Sequence, residues 1–140
     1  MKRPILTTVC ILALGSLVLA SPAIANTGSV FGGWSEDGGY YSLAATTRAS
    51  TPVHTGRAEN SENAAGTSIK RAHGWTTWAG VYHYTRARLE HTCIFQGGTP
   101  IVDSGRVWGW SGTEAISPWA TFNPNACCGN LGTAKTYYGK

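Results

Sequence analysis

Strict alternation over "VYHYTRARLEHT", Val81 to Thr92, constrains this chain more than any other feature. One set of positions reads Val81, His83, Thr85, Ala87, Leu89, His91, and the other reads Tyr82, Tyr84, Arg86, Arg88, Glu90. A period of two over this length belongs to a half-buried β-strand, because successive side chains of a strand leave on opposite faces. The predicted strand runs from Trp75 to Phe95, and others follow over Ile101–Trp110, Thr113–Thr121 and Thr133–Tyr138. Between the first two, Gly97-Gly98 reads as a two-residue hairpin turn, whose central positions need positive φ. Gln96 then pairs with Thr99, so Ala87 faces Trp108, Thr85 faces Trp110 and Cys93 faces Val102. Small residues against large rings are what a packed interior requires. This register puts Val81, Thr85, Ala87, Leu89, Trp108 and Trp110 inside. It turns Tyr82, Tyr84, Arg86, Arg88 and Glu90 outward.

Upstream, "FGGWSEDGGYYSL" reads as two short strands around a turn at Glu36 to Gly39. Ala44 to Ser68 has almost no large apolar residue and is expected to be a long, flexible polar loop without regular structure. Hairpin-connected strands at this spacing predict an all-β chain, a small antiparallel β-sandwich with that polar loop near its N-terminus.

The first residues point to export. Lys2 and Arg3 precede an apolar run from Ile5 to Ala20, and Ala23-Ile24-Ala25 supplies small residues for cleavage. Residues 1–25 therefore read as a secretory signal peptide, which leaves a single domain, Asn26 to Lys140, in a secreted protein without a membrane span. Without Lys2 and Arg3, nine of the eleven Lys plus Arg remain against seven Asp plus Glu. A net charge of about +2 with no basic cluster argues against a nucleic-acid partner. Cys93, Cys127 and Cys128 would meet an oxidising compartment, so Cys93 is expected to pair with Cys127 or Cys128. That bridge closes a loop of about 35 residues and contributes roughly 3–4 kcal/mol on the chain-entropy model. The alternative is a zinc site of His91, Cys93, Cys127 and Cys128. The disulfide fits an exported chain without a paired C-x-x-C motif better, so neither metal nor cofactor is expected.

No sequence motif suggests a reaction. There is no G-x-S-x-G, phosphate loop or dinucleotide fingerprint, and Glu90, Asp103 and Glu114 are scattered. His54 and His73 read as loop histidines. The chain is therefore read as a non-enzyme. The outward stripe of Tyr82, Tyr84, Arg86 and Arg88 is the candidate ligand-binding site. Aromatic faces suit sugars and guanidinium groups suit phosphate, so a phosphorylated glycolipid or an anionic wall polymer would fit. The plain alternative is a solvated strand face with Arg88 and Glu90 paired.

The segments "GGWSEDGGYYS", "VYHYTRARLEHT", "DSGRVWGWSGTEA" and "AKTYYG" resemble, in the same order, the lactococcin 972 family of secreted bacteriocins. The resemblance implies two antiparallel sheets, association of the chain with itself, and binding of the wall precursor lipid II. The chain departs from that family in its Ala44–Ser68 zone and in its cysteine trio. Other readings are a secreted inhibitor of an extracellular hydrolase, presenting the Asn123–Gly132 loop, and a non-catalytic structural protein of the cell surface.

Overall fold

The computed structural model describes residues 28–43, 50–125 and 131–140. Residues 1–25, the expected signal peptide, lie outside the described residues, as do Cys127 and Cys128. The fold is an all-β sandwich of two antiparallel sheets. One sheet has six strands: β2 (Gly39–Ser42), β1 (Val30–Ser35), β10 (Thr133–Gly139) and β5 (His83–Glu90) in spatial order, with β6 (Pro100–Asp103) and β7 (Val107–Gly109) both paired to the far edge of β5. The other has four: β3 (Val53–Glu62) and β4 (Ser68–Thr77), with β8 (Gly112–Ile116) and β9 (Ala120–Thr121) both paired to β4. No helix among the described residues is long and apolar enough to cross a membrane. The turn between β1 and β2 falls where the sequence placed it, and Gly39 there has φ of 71°.

Three expectations are corrected. The polar zone Ala44–Ser68 is not one loop: its residues 44–49 lie outside the described residues, but Val53–Glu62 is strand β3, which pairs with β4 over ten positions from Val53↔Thr77 to Glu62↔Ser68. Its inward side, with His54, Gly56 and Ala58, lacks large apolar residues because the facing sheet supplies the bulk. A Cβ on Gly56 would stand 2.5 Å from Thr136 Oγ1 and 2.7 Å from Trp34 Cε3. Second, Trp75–Phe95 is two strands in different sheets. The chain leaves β4 at Thr77 and turns at Gly80, with φ of 71°, before entering β5.

Third, the β5–β6 connection is a loop over 91–99 and not a two-residue turn. It is closed by His91 N–H donating to the Thr99 carbonyl, with only Gly98 of the two glycines at positive φ. At Val102 and Asp103 of β6 the register differs from the expected one by four residues, which keeps the faces. Over β7 it differs by three, so the irregular segment 104–106 between them exchanges the faces of β7. Trp108 stands opposite Tyr84, not Ala87, and Val107 stands opposite Thr85. Trp108 and Trp110 therefore belong to the outer face.

The inner face of β5 is as expected, with Thr85, Ala87 and Leu89 fully buried. The interior is nevertheless built of small and hydroxylated side chains. Ala72, Ala87, Leu89, Ala115, Ala120 and Ala134 cluster at one end. At the other, a chain of hydrogen bonds crosses between the sheets. His54 Nε2 meets Thr136 Oγ1 at 2.8 Å, and His54 Nδ1 meets Thr76 Oγ1 at 2.8 Å. Thr76 continues to Thr85 at 2.5 Å, and Thr85 to Thr113 at 2.6 Å. Each buried polar group in this chain has a partner, the condition under which such groups are tolerated. His54 is a core residue and not a loop histidine, and its burial lowers its pKa from 6.5 to about 4.

Candidate functional site

The second face of the six-stranded sheet, turned away from the sandwich interior, carries the outward set of β5. Strand pairing fixes the neighbours. Arg86 lies beside Tyr137 of β10, and Arg88 lies between Lys135 of β10 and Asp103 of β6. Arg86 donates from Nε to Asp103 Oδ1 at 2.8 Å and also from Nη2 to Oδ2. Arg88 reaches the same carboxylate from Nε at 3.0 Å and Glu90 from Nη1 at 3.3 Å. Glu90 also accepts the Tyr137 hydroxyl at 2.5 Å and faces Lys135 Nζ at 3.1 Å. Glu90 and Asp103, scattered in sequence, thus share one guanidinium.

These contacts set the protonation of the site. Burial opposes charge on Asp103, but hydrogen bonds from Arg86 and the Gly105 amide, with the nearby guanidinium charges, hold it below the ordinary carboxylate range. Burial and the hydrogen bond to Glu90 push the Tyr137 phenol well above its ordinary value. Burial, with the charge of Glu90, also raises Tyr41, which lies on the same face. The result is an Asp103 carboxylate held beside the Arg86 guanidinium, with the Tyr137 and Tyr41 phenols kept protonated.

Outward direction is not outward exposure. Tyr84 is 1% and Glu90 3% exposed. Tyr84 is covered by the Arg106 guanidinium, 4.8 Å from its ring centre, and by Trp108 at 5.0 Å. Arg106 is itself tied down by donating to the Gly28 carbonyl at 3.1 Å. A cavity of about 320 Å³ remains on this face, lined by Val30, Tyr84, Arg86, Arg88, Glu90, Gly98 and Tyr137. Its size is at the lower end for small-ligand sites. The Tyr84 hydroxyl is buried with no hydrogen-bond partner.

Three of the four residues expected from the sequence, Tyr84, Arg86 and Arg88, therefore line one cavity. Tyr82 does not. It is 48% exposed and packs against Trp108 and Trp110, each with its ring centre 5.3 Å away. The sequence also missed Tyr137, Asp103 and the surface position of the two tryptophans. Only the register of β10, β6 and β7 against β5 reveals them.

The outer face of the four-stranded sheet has its own cluster. His73, on β4 and not in a loop, meets Glu59 Oε1 through Nδ1 at 2.7 Å and Glu114 Oε1 through Nε2 at 2.6 Å. The His73 hydrogen bond leads in holding Glu59 at about 2, aided by Arg71 and Arg57. Both imidazole nitrogens are engaged by carboxylates, which leaves none to bind a metal. No group of three or more metal-ligating side chains is found among the described residues. Cys93 is buried beyond the end of β5. Its expected partners lie outside the described residues, as do positions 126–130 of the Asn123–Gly132 loop.

No family model, no curated protein and no solved structure matches this chain.

Proposed function

We propose that this chain is a secreted, bacteriocin-like protein that binds an anionic component of the envelope of other bacteria, a wall precursor such as lipid II or a wall polymer. The observation that carries the reading is the cavity on the six-stranded sheet. Arg86 and Arg88 are held there by Asp103 and Glu90, so their orientation is fixed before any ligand arrives. Both arginines line the cavity, and the Tyr84 hydroxyl that lines it with them is buried and unpartnered. Guanidinium groups fixed in this way bind phosphate or carboxylate at little entropic cost. The chemistry asks for a ligand with an anionic group. It asks for no cofactor and no catalytic step.

Retention of the purified protein on isolated bacterial cell walls tests the reading. Tyr84→Phe removes one unpartnered oxygen and nothing else, and Arg88→Gln removes one charge. Each should lower retention while the melting temperature stays within a few degrees. Unchanged retention in both variants removes this face from the account. Growth inhibition of neighbouring strains separates the antibacterial role from a structural role at the producer's own surface.

One observation favours the hydrolase-inhibitor reading in a new place. Ile94 and Phe95, at the tip of the 91–99 loop, are 96% and 91% exposed. A projecting apolar tip on a hydrogen-bonded loop has the form of an inhibitor's reactive segment. A stoichiometric complex with a secreted hydrolase, abolished by Phe95→Ser, would favour it.

A further inference from the structure

We infer that Tyr82, Trp108 and Trp110 form a saccharide platform, and that the ligand of this face is an acidic glycan lying along β5. The ring faces of the sugars would sit on the aromatic side chains and an anionic substituent would sit in the arginine cavity. The second half of this inference rests on the function proposed above, whereas the platform stands on its own geometry.

Trp108 and Trp110 are two residues apart and leave on one side, as positions i and i+2 of an extended chain do. The β7–β5 register sets Trp108 opposite Tyr84. Its continuation brings Trp110 to Tyr82. Tyr82 and Trp108 are nearly parallel, with 17° between their planes, and Trp110 is inclined to Tyr82 at 47°. Two flat faces meeting at an angle make a shallow cradle. Trp110 is 65% exposed, Tyr82 48%, and Trp108 is partly buried beneath them. A ring so exposed adds little to folding stability, since most of its apolar surface stays in water.

The choice of occupant follows from what adjoins the rings. Trp108 contacts Tyr84, and Tyr84 lines the cavity with Arg86, Arg88 and Glu90. The strip therefore passes from flat aromatic faces to fixed donors and acceptors within one strand. A pyranose has the matching division, with apolar C–H faces and a polar rim. A lipid chain would call for an aliphatic groove, and a protein partner for an apolar patch without buried, unpartnered polar atoms at its centre. A uronic acid or a phosphate-substituted sugar supplies the anion for the arginines.

The test is a tryptophan-fluorescence titration of the full-length mature chain with two probes, chitohexaose, which is neutral, and a galacturonic acid hexamer, which is anionic. The acidic hexamer should bind more tightly. Trp110→Ala and Tyr82→Ala should each weaken both probes by about three- to tenfold, with Trp110→Phe restoring most of the loss. Arg88→Gln should weaken only the acidic one. If Trp110→Ala changes neither probe while Arg88→Gln still weakens the acidic one, the platform is wrong and the cavity stands. If Trp110→Ala weakens both and Arg88→Gln and Tyr84→Phe change nothing, the platform stands and the proposed anion site is wrong. Binding of neither probe overturns the platform. So does a dimer in sedimentation that Trp110→Ala converts to monomer, because the rings would then be covered by a second copy of the chain.

Discussion

The two faces of β5 use polar groups in opposite ways. Toward the second sheet, Thr85 joins a buried chain of neutral partners running from Thr136 through His54 and Thr76 to Thr113. Away from it, Arg86, Arg88 and Asp103 form a partly wetted network of ions that also pairs the buried Glu90. Neutral groups can be buried once hydrogen bonded, whereas partly exposed ions keep part of their hydration and respond to salt. The inner face thus ties the two sheets together, and the outer face holds oriented charge at the proposed ligand site. Disturbing the first should change folding, and disturbing the second should change binding.

The largest expected effect is the pH dependence of the inner face. His54 has its pKa lowered by burial from 6.5 to about 4, so the unfolded chain binds the extra proton first. Its stabilising contribution is complete above pH 6.5 and is lost as pH falls from 6.5 to about 4, a loss of roughly 3 kcal/mol. Denaturant melts across this range should show it, and His54→Gln should flatten the curve there. The outer face of the four-stranded sheet acts lower. Glu59, held at about 2 from an ordinary 4.5, loses its contribution between these values. A midpoint that is level from pH 6.5 to 4 would refute the buried, neutral His54.

Next comes steric closure of the interior. Gly56→Ala puts a methyl group 2.5 Å from Thr136 Oγ1 and 2.7 Å from Trp34. Overpacking here should cost about 2–3 kcal/mol, read as a melting temperature lower by roughly 10 °C. The same substitution at Gly38, which has no neighbour within 4 Å, should be nearly silent.

Smaller still is Asp103→Asn on the outer face. It removes the charge that Arg86 and Arg88 share, yet both partners of the Arg86–Asp103 pair are about a quarter exposed and Arg88 keeps Glu90. A stability loss of about 1 kcal/mol, shrinking in high salt, is expected. The smallest effect on folding belongs to Tyr84→Phe, within about 0.5 kcal/mol of the parent, because the lost hydroxyl has no partner to forfeit. A loss near 2 kcal/mol would mean that this oxygen is structural.

Much of this contrast was legible in the alternation of one segment. It assigned Thr85, Ala87 and Leu89 to the interior and aimed Tyr84, Arg86 and Arg88 the other way, because strand period alone decides the face. It did not reveal the break before His83, since the alternating pattern continues unchanged across Tyr82 into β5. Strand β3 was hidden because its inward residues are small, Gly56 making room for Trp34 and Thr136, side chains distant in sequence. The completed site was illegible for a related reason. Tyr137 reaches β5 through the separate pairing of β10, and Asp103 through the loop over 91–99. Trp108 and Trp110 turn outward because the chain slips by one residue between β6 and β7, over 104–106.

Amide chemical-shift mapping with soluble cell-wall fragments tests the division of labour between the faces most directly. Shifts should be confined to Tyr82, Tyr84, Arg86, Arg88, Trp108 and Trp110, with Ala72, Thr113 and Ala115 unmoved. Shifts centred on Arg57, Arg71 and Trp119, across the opposite sheet, would contradict it.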